Sequence, residues 1–463
     1  MKVKQLQLQN YGRFDDLTME FAPNGETKGN VTIIVGNNGA GKSQILQALA
    51  TGFSWFVGGI KNKSDGFEID KKFIKNGFND TCVNMYVDFN KFNYKNPLPF
   101  DDVDKKETKW RFMTVKDGRN SFFKNQKHEL DKVIENYREN LTDDINLSLP
   151  LIIYYPVERS VIGNSQADIL SSDFEQFDAY FACTDGFGID FYDFFKWFKQ
   201  KEDLENEKQR YSSQQLSKLL EIFEKNKGHQ ILDGIIDNIQ NIEIGDRLLN
   251  EVREAIERFT DFKNIRIERQ GTPKMVVEKD GEKLDVNQLS QGEKSLLALV
   301  GDIARRLAIL NPSLDNPLQG EGVVLIDEVD LHLHPKWQQN LIDKLTKTFP
   351  NVQFILTTHS PHIVSDNPDV LVYALDDGQL HKFGNVYGED VNTLLNDVFD
   401  VSRFTPEIDK KFNDIRRAIS HQELDNAESL INHLAQEVSP NHTELLKMRL
   451  MLAQAKLTLN QAD

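Results

Sequence analysis

The sequence predicts an α/β fold: a mixed sheet built around a phosphate-binding core, with helical insertions and a helical tail. Three observations predict it. Residues 31–35 (VTIIV) form a short apolar, β-branched run, followed at once by a glycine-rich segment and a helix-periodic stretch. Residues 323–326 (VVLI) form a second run, ending in two carboxylates, Asp327 and Glu328. Residues 352–358 (VQFILTT) form a third, which leads to His359. Continuous apolar runs of this length read as strands buried on both faces, as in parallel sheets.

The chain opens on MKVKQLQLQNYGRF, which alternates like a strand. It lacks the apolar block and small-residue cleavage site of a secretory signal. After the first apolar run comes Gly36-Asn37-Asn38-Gly39-Ala40-Gly41-Lys42-Ser43. Residues 44–56 continue as an apolar-periodic helix with Ile45, Leu46, Leu49 and Phe53 on one side. Strand, G-x-x-x-x-G-K-S and helix together form the context of a phosphate loop. The glycines let backbone amides curl toward phosphate oxygens, and the helix N-terminus adds partial positive charge. Lys42 suits the β and γ phosphates, and the Ser43 hydroxyl suits magnesium. Residues Gly36 to Ser43, with Gln44 beside them, are the candidate nucleotide-binding set.

Residues 57–128 differ in composition, with 15 Lys/Arg against 10 Asp/Glu in a chain of net charge −17. Phe73, Phe78, Phe92, Tyr94, Trp110, Phe122 and Phe123 lie among the lysines. Two readings stand: a basic, aromatic surface for a nucleic-acid strand, or a lysine-rich β insertion with solvated edges. Residues 149–160 (LPLIIYYPVERS) read as a strand running into a loop, where Arg159 is either structural or a phosphate contact. Residues 200–260 are helical and charged but lack sustained a/d spacing, so no long coiled-coil arm is expected. Residues 262–286 read as a strand hairpin.

Leu289-Ser290-Gln291-Gly292-Glu293-Lys294-Ser295 then opens a helix to about residue 311, with Ser290 as its N-cap. At the end of the second apolar run, Asp327 is placed to hold a magnesium water shell and Glu328 to act as general base. A helix over 335–349 precedes the third run, which is expected to carry strand up to His359. A neutral imidazole there suits a γ-phosphate.

The order and spacing of these motifs resemble the head of ABC-type ATPases, in the SMC/RecF/OLD branch, which are not transporters. LSQGEKS resembles that branch's signature. Asp330 in EVDLHLHP matches its D-loop, and TTHSPHIV resembles its switch-histidine segment. Asn10-Tyr11-Gly12-Arg13-Phe14 resembles the family's N-terminal element, which implies that Arg13 approaches the nucleotide. The resemblance implies ATP and Mg2+ as ligands, with Ser43 and Asp327 at the metal and Glu328 and His359 catalytic. It also implies that Ser290, Gln291, Gly292 and Glu293 act in trans, closing over ATP held by a second head.

The expected division is 1–56 and 262–400 as the two lobes of the head, 57–150 as a basic, aromatic, β-rich insertion, 151–261 as a mainly helical insertion, and 401–463 as a helical tail. Proline breaks near Pro406 and Pro440 divide the tail into three amphipathic helices, with Ala418, Ala435, Ala453 and Ala455 suited to close packing. A compact head, the element Tyr387-Gly388-Glu389-Asp390-Val391-Asn392-Thr393-Leu394-Leu395 and this tail resemble the PtuA ATPases of Septu-type anti-phage systems, some of them retron-linked. That narrower resemblance implies an HNH nuclease partner (PtuB-like), a homo-oligomer of head-to-tail dimers, and in retron-linked versions a reverse transcriptase with its DNA–RNA product.

Composition bounds the remaining alternatives. The 463 residues are 39% hydrophobic and 27% charged, and no apolar run approaches a membrane span of roughly 20 residues. Cys82 and Cys183 form no metal spacing and no disulfide framework, which fits a reducing cytoplasm. The net charge is 55 − 72 = −17, which argues against a general nucleic-acid coat. Three functions remain open: an ATPase switch controlling a nuclease, a RecF-like DNA repair ATPase, and a nucleotide-locked scaffold with little turnover.

Overall fold

The computed structural model describes residues 1–62, 64–89, 107–116, 125–157, 175–185, 191–226, 246–365, 367–383, 386–389, 405–438 and 442–460, with backbone alone for 211–226 and 458–460. β1 (Lys2–Tyr11) and β2 (Phe14–Glu20) form a hairpin, and β3 (Val31–Gly36) leads into α1 (Lys42–Asn62). β4 (Asp80–Asp88), β5 (Glu107–Val115), α2 (His128–Asp143) and β6 (Leu151–Tyr155) follow. α3 (Phe191–Asn226) and α4 (Arg247–Thr260) precede β7 (Lys263–Glu268), β8 (Lys274–Lys279) and β9 (Glu282–Asp285). Then come α5 (Gln291–Leu310), β10 (Gly322–Ile326), α6 (Leu341–Thr348), β11 (Val352–Thr357), β12 (Val370–Asp376) and β13 (Gln379–Phe383). The tail holds α7 (Pro406–Ser420), α8 (Leu424–Glu437) and α9 (Thr443–Asn460).

The central sheet has the order β13-β12-β3-β11-β10-β6, parallel except for the edge strand β13. Every residue of β3, β6, β10 and β11 is buried, as continuous apolar runs require when both faces are covered. A second, antiparallel sheet has the order β2-β1-β4-β5. β5 alternates, with Thr108, Trp110, Phe112 and Thr114 buried and more exposed residues between, whereas the inner strand β4 is buried continuously from Thr81 to Met85. α1 touches both sheets. Its Gly52 lies so close to Met85 that a Cβ there would sit 1.8 Å from the sulfur, and the Gly52 carbonyl accepts from Trp110 Nε1 at 3.3 Å.

The basic stretch is therefore woven into the N-terminal sheet, because β4 and β5 pair beside β1. Trp110 is 1% exposed and belongs to that core, so it offers no face for base stacking. Phe73 stacks on Tyr11, with ring centroids 5.1 Å apart. Phe92, Tyr94, Phe122, Phe123 and Arg159 lie outside the described residues.

Four local expectations change. The helix after the glycine loop runs to Asn62, because apolar positions continue through Ile60. The hairpin over 262–286 gains a third strand, β9. The helix expected over 335–349 is two pieces, Pro335–Gln338 and Leu341–Thr348, broken at Asn340, which adopts φ 67°. The last apolar strand stops at Thr357, two residues before His359. Contacts divide the chain into two compact units, Met1–Gly388 and Glu389–Asp463.

Candidate nucleotide site

β3 delivers the loop at its C-terminal end. Gly36 has φ 149° and Gly41 φ 112°. A Cβ on Gly36 would meet the Leu375 carbonyl oxygen at 2.2 Å, and one on Gly41 would meet the Phe14 ring at 2.7 Å, so both conformation and space demand glycine. The Ala40 amide donates to Asn37 O at 3.1 Å, and the Gln44 amide donates to Gly41 O at 3.0 Å. Asn37, Asn38 and Gly39 are exposed on the lip, Ala40 is buried, and Ser43 and Gln44 are half-buried.

Lys42 is only 6% exposed. Its Nζ donates to the carbonyls of Gly36 at 2.8 Å and Asn37 at 3.2 Å, and stands 3.0 Å from His359 Nε2. Burial lowers the Lys42 pKa, and Asp327, Glu328 and Asp330 oppose that shift. Burial, then the Lys42 charge, lowers the His359 pKa as well. The imidazole is thus held neutral. Because Lys42 can only donate, Nε2 accepts and the ring proton sits on Nδ1.

The carboxylates come from the ends of neighbouring strands. The Asp327 amide donates to the Tyr155 carbonyl at 2.8 Å. The Thr357 hydroxyl donates to Asp327 Oδ1 and accepts the Glu328 amide at 2.7 Å. Glu328 adopts φ 45°, a left-handed conformation that costs a non-glycine residue about 1–3 kcal/mol. The Thr357 hydroxyl and carbonyl hold it there, the latter accepting the Val329 amide at 2.9 Å. Asp330 Oδ1 accepts the Thr358 hydroxyl at 2.5 Å and the His359 amide at 3.3 Å. Thr357 and Thr358 were missed in the sequence reading. The signal was the paired threonines that end the third apolar run.

Arg13 occupies a turn beside α1. Its amide donates to Gln44 Oε1 at 3.1 Å, and its side chain is 53% exposed, 3.8 Å from Asp377. A Cβ on Gly39 would lie 3.5 Å from the Arg13 guanidinium, so this cation borders the loop. Gln44 therefore supports the Arg13 turn through its side chain.

The signature residues form a separate constellation. Ser290 caps α5, and its amide and hydroxyl both reach Glu293 Oε2 at 2.8 Å. Glu293 also accepts Lys279 Nζ at 2.6 Å. Burial would raise the Glu293 pKa, but Lys279 and Ser290 outweigh it and hold the carboxyl below its usual range. Gln291 and Gly292 form the first turn, where a Cβ on Gly292 would meet the His332 carbonyl at 2.4 Å. These residues are thus braced by the β8–β9 hairpin and the turn after Asp330, while Lys42, His359 and the three carboxylates share one field.

Residues 1–364 match the AAA ATPase domain family. The chain belongs to that family. This ATPase is 31% identical to the retron Ec83 probable ATPase of Escherichia coli, over 97% of this chain and 86% of the relative. It is 34% identical to the retron Vc95 probable ATPase of Vibrio cholerae, over 79% of this chain and 71% of the relative. It is 28% identical to the Septu protein PtuA of Bacillus thuringiensis, over 51% and 54%. Among solved structures, an SMC head bound to the C-winged helix domain of ScpA superposes with a TM-score of 0.44 at 16% identity, covering 83% of this chain and 98% of that one.

The ATPase's residues fit a nucleotide with magnesium. Among the described residues no group of three or more His, Cys, Asp or Glu forms a metal cage. A hydroxyl and one carboxylate, Ser43 and Asp327, are hard oxygen donors of the kind magnesium takes when phosphates complete its shell. Asp327 is 2% exposed and oriented by the Thr357 hydroxyl, so its carboxylate is held in a fixed direction.

Proposed function

We propose that this ATPase binds ATP in the loop 36–44 and hydrolyses it as the regulatory subunit of an anti-phage defence complex. Two heads close head to tail over two nucleotides, and the closed state controls a partner HNH nuclease. Magnesium, held by Ser43 and Asp327, supplies charge neutralisation at the phosphates. Lys42 exchanges the Gly36 and Asn37 carbonyls for phosphate oxygens. Glu328 takes a proton from the attacking water as its oxygen bonds to the γ-phosphorus and the bond to the bridging oxygen breaks. His359 offers its N–H to the γ-phosphate. Ser290 and the amides of Gly292 and Glu293 cap the nucleotide of the partner head. The single observation that carries the reading is the cluster at the strand ends, where Lys42 Nζ stands 3.0 Å from His359 Nε2, the His359 amide donates to Asp330, and Thr357 holds Asp327 and Glu328 together. The defence role draws support from the retron and Septu relatives.

The experiment pairs two variants with a distance probe between heads. Glu328→Gln keeps the side chain's shape and removes the base, so hydrolysis falls by about 10²-fold or more while ATP still brings the heads together. Ser290→Arg binds ATP at its own loop but does not close. Failure of Glu328→Gln to close, or closure of Ser290→Arg like the parent, overturns the arrangement. Copurification with an HNH nuclease, and loss of ATP-dependent control over it in Ser290→Arg, tests the partner.

A further inference from the structure

The last helix, α9, is apolar on two sides. Leu445, Met448 and Leu452 are buried in the tail's own core. On the opposite side Leu446, Leu450 and Leu457 are 47%, 61% and 63% exposed, and Met451, about 100° round the helix from Leu450, is 43% exposed. Four of the ten large hydrophobics exposed among the described residues therefore crowd onto this one helix. Leu446, Leu450, the exposed Ala453 and Leu457 recur at i, i+4, i+7 and i+11. That spacing makes one straight stripe of about three turns, roughly 16 Å long.

Its borders are basic. Lys447 is 57% exposed and only 3.7 Å from Glu444 at its nearest. Arg449 is exposed and has no ion-pair partner among the described residues. Lys456 is 39% exposed and pairs with Glu428 at 2.5 Å. This basic rim stands out on a chain of net charge −17.

We propose that this face docks an amphipathic helix with acidic flanks, supplied by a partner polypeptide. The anchor spacing is that of helix-on-helix recognition, and Ala453 leaves a gap in the leucine row for a partner side chain. Charge selects the occupant. A second copy of α9 on the same stripe would set basic rim against basic rim, whereas acidic flanks give Arg449 a partner and compete with Glu444 and Glu428 for Lys447 and Lys456. An anionic membrane shares that sign, but the stripe carries no aromatic residue and its helix is committed to a bundle on the other side.

The full chain is titrated, by fluorescence anisotropy, against two labelled helical peptides with leucines at i, i+4, i+7 and i+11. One has glutamate flanks and the other lysine flanks. The glutamate peptide is expected to bind at least about tenfold more tightly, and more weakly as salt rises. The double variant Leu450→Glu/Leu457→Glu loses at least about tenfold for that peptide. Its melting temperature and ATP-analogue binding stay unchanged, because both positions lie outside the tail core and belong to a different compact unit from the nucleotide loop. That control separates this proposal from the proposed function. Equal binding of the two peptides, or no binding, overturns it. So does self-association abolished by the double variant, which assigns the face to a second copy. Binding to anionic vesicles that the glutamate peptide does not displace assigns it to a membrane and equally overturns it.

Discussion

Lys42 and His359 are coupled by the 3.0 Å contact between Nζ and Nε2. Burial and then the lysine charge keep the imidazole neutral below the ordinary histidine range. Lys42→Ala removes one of these two causes, so His359 should titrate at a higher pH than in the parent. Imidazole proton resonances followed through the pH range measure this, and an unshifted titration counts against the coupling. The sign for stability follows. The unfolded histidine binds its proton near pH 6.5 and the folded one only below that. The neutral imidazole therefore contributes stability in full above pH 6.5, and the contribution is lost as pH falls toward the folded value. Removing the partner lysine narrows that window.

At the scale of elements, α5 is tied to the central sheet by a buried charge cluster. Asp302 accepts the Tyr155 hydroxyl at 2.9 Å, Arg305 at 2.6 Å and Arg306 at 2.8 Å. These side chains are 1% to 4% exposed. Burial alone would raise the Asp302 pKa, but the two guanidiniums bring it to about 2. The same Tyr155 that reaches the helix also accepts the Asp327 amide through its carbonyl. The helix bearing Ser290 is thus linked through β6 to Asp327. Asp302→Asn leaves two buried arginines without a counter-charge and should cost about 3–5 kcal/mol. Tyr155→Phe, which removes one hydrogen bond to a charged group, should cost less, about 1.5–3 kcal/mol. Denaturant melts of the two variants check the order, and a Tyr155→Phe cost equal to or above that of Asp302→Asn contradicts it. In the parent, this contribution is complete above pH 3.8 and fades as pH falls toward 2.

At the scale of the molecule, the tail has a core of its own. Phe412 and Ile415 on α7, Ile431 and Leu434 on α8, and Leu445 and Met448 on α9 pack together. The residues of the nucleotide site all lie in the other compact unit, Met1–Gly388. Deleting 405–463 should therefore leave ATP-analogue affinity within about twofold of the parent, a free-energy change of about 0.4 kcal/mol. The same deletion should shrink the assembly or release a partner, which light scattering reads. Loss of nucleotide binding in a folded truncation, or an intact complex without the tail, contradicts this.

The sequence by itself determined the local devices. The phosphate loop lies in eight consecutive residues because amides must converge on one point. The cap of α5 is equally local, since Ser290 and Glu293 satisfy each other across one helical turn. The parallel strands were legible because burial on both faces leaves mostly apolar residues in β3, β10 and β11, with Thr32, Gln353 and Thr357 the buried polar exceptions. What only tertiary structure decided are the contacts between elements far apart in the chain. Composition marked 57–128 as a possible β insertion but did not say that β4 within it would pair with β1. Apolar periodicity ran through 335–349 without marking the left-handed break at Asn340. Neither Thr357 as the support of Asp327 and Glu328, nor Lys42 against His359, follows from spacing. Periodicity records which face of an element is dry. Which residue meets it there depends on how separate elements stack, and that is settled by packing across the whole fold.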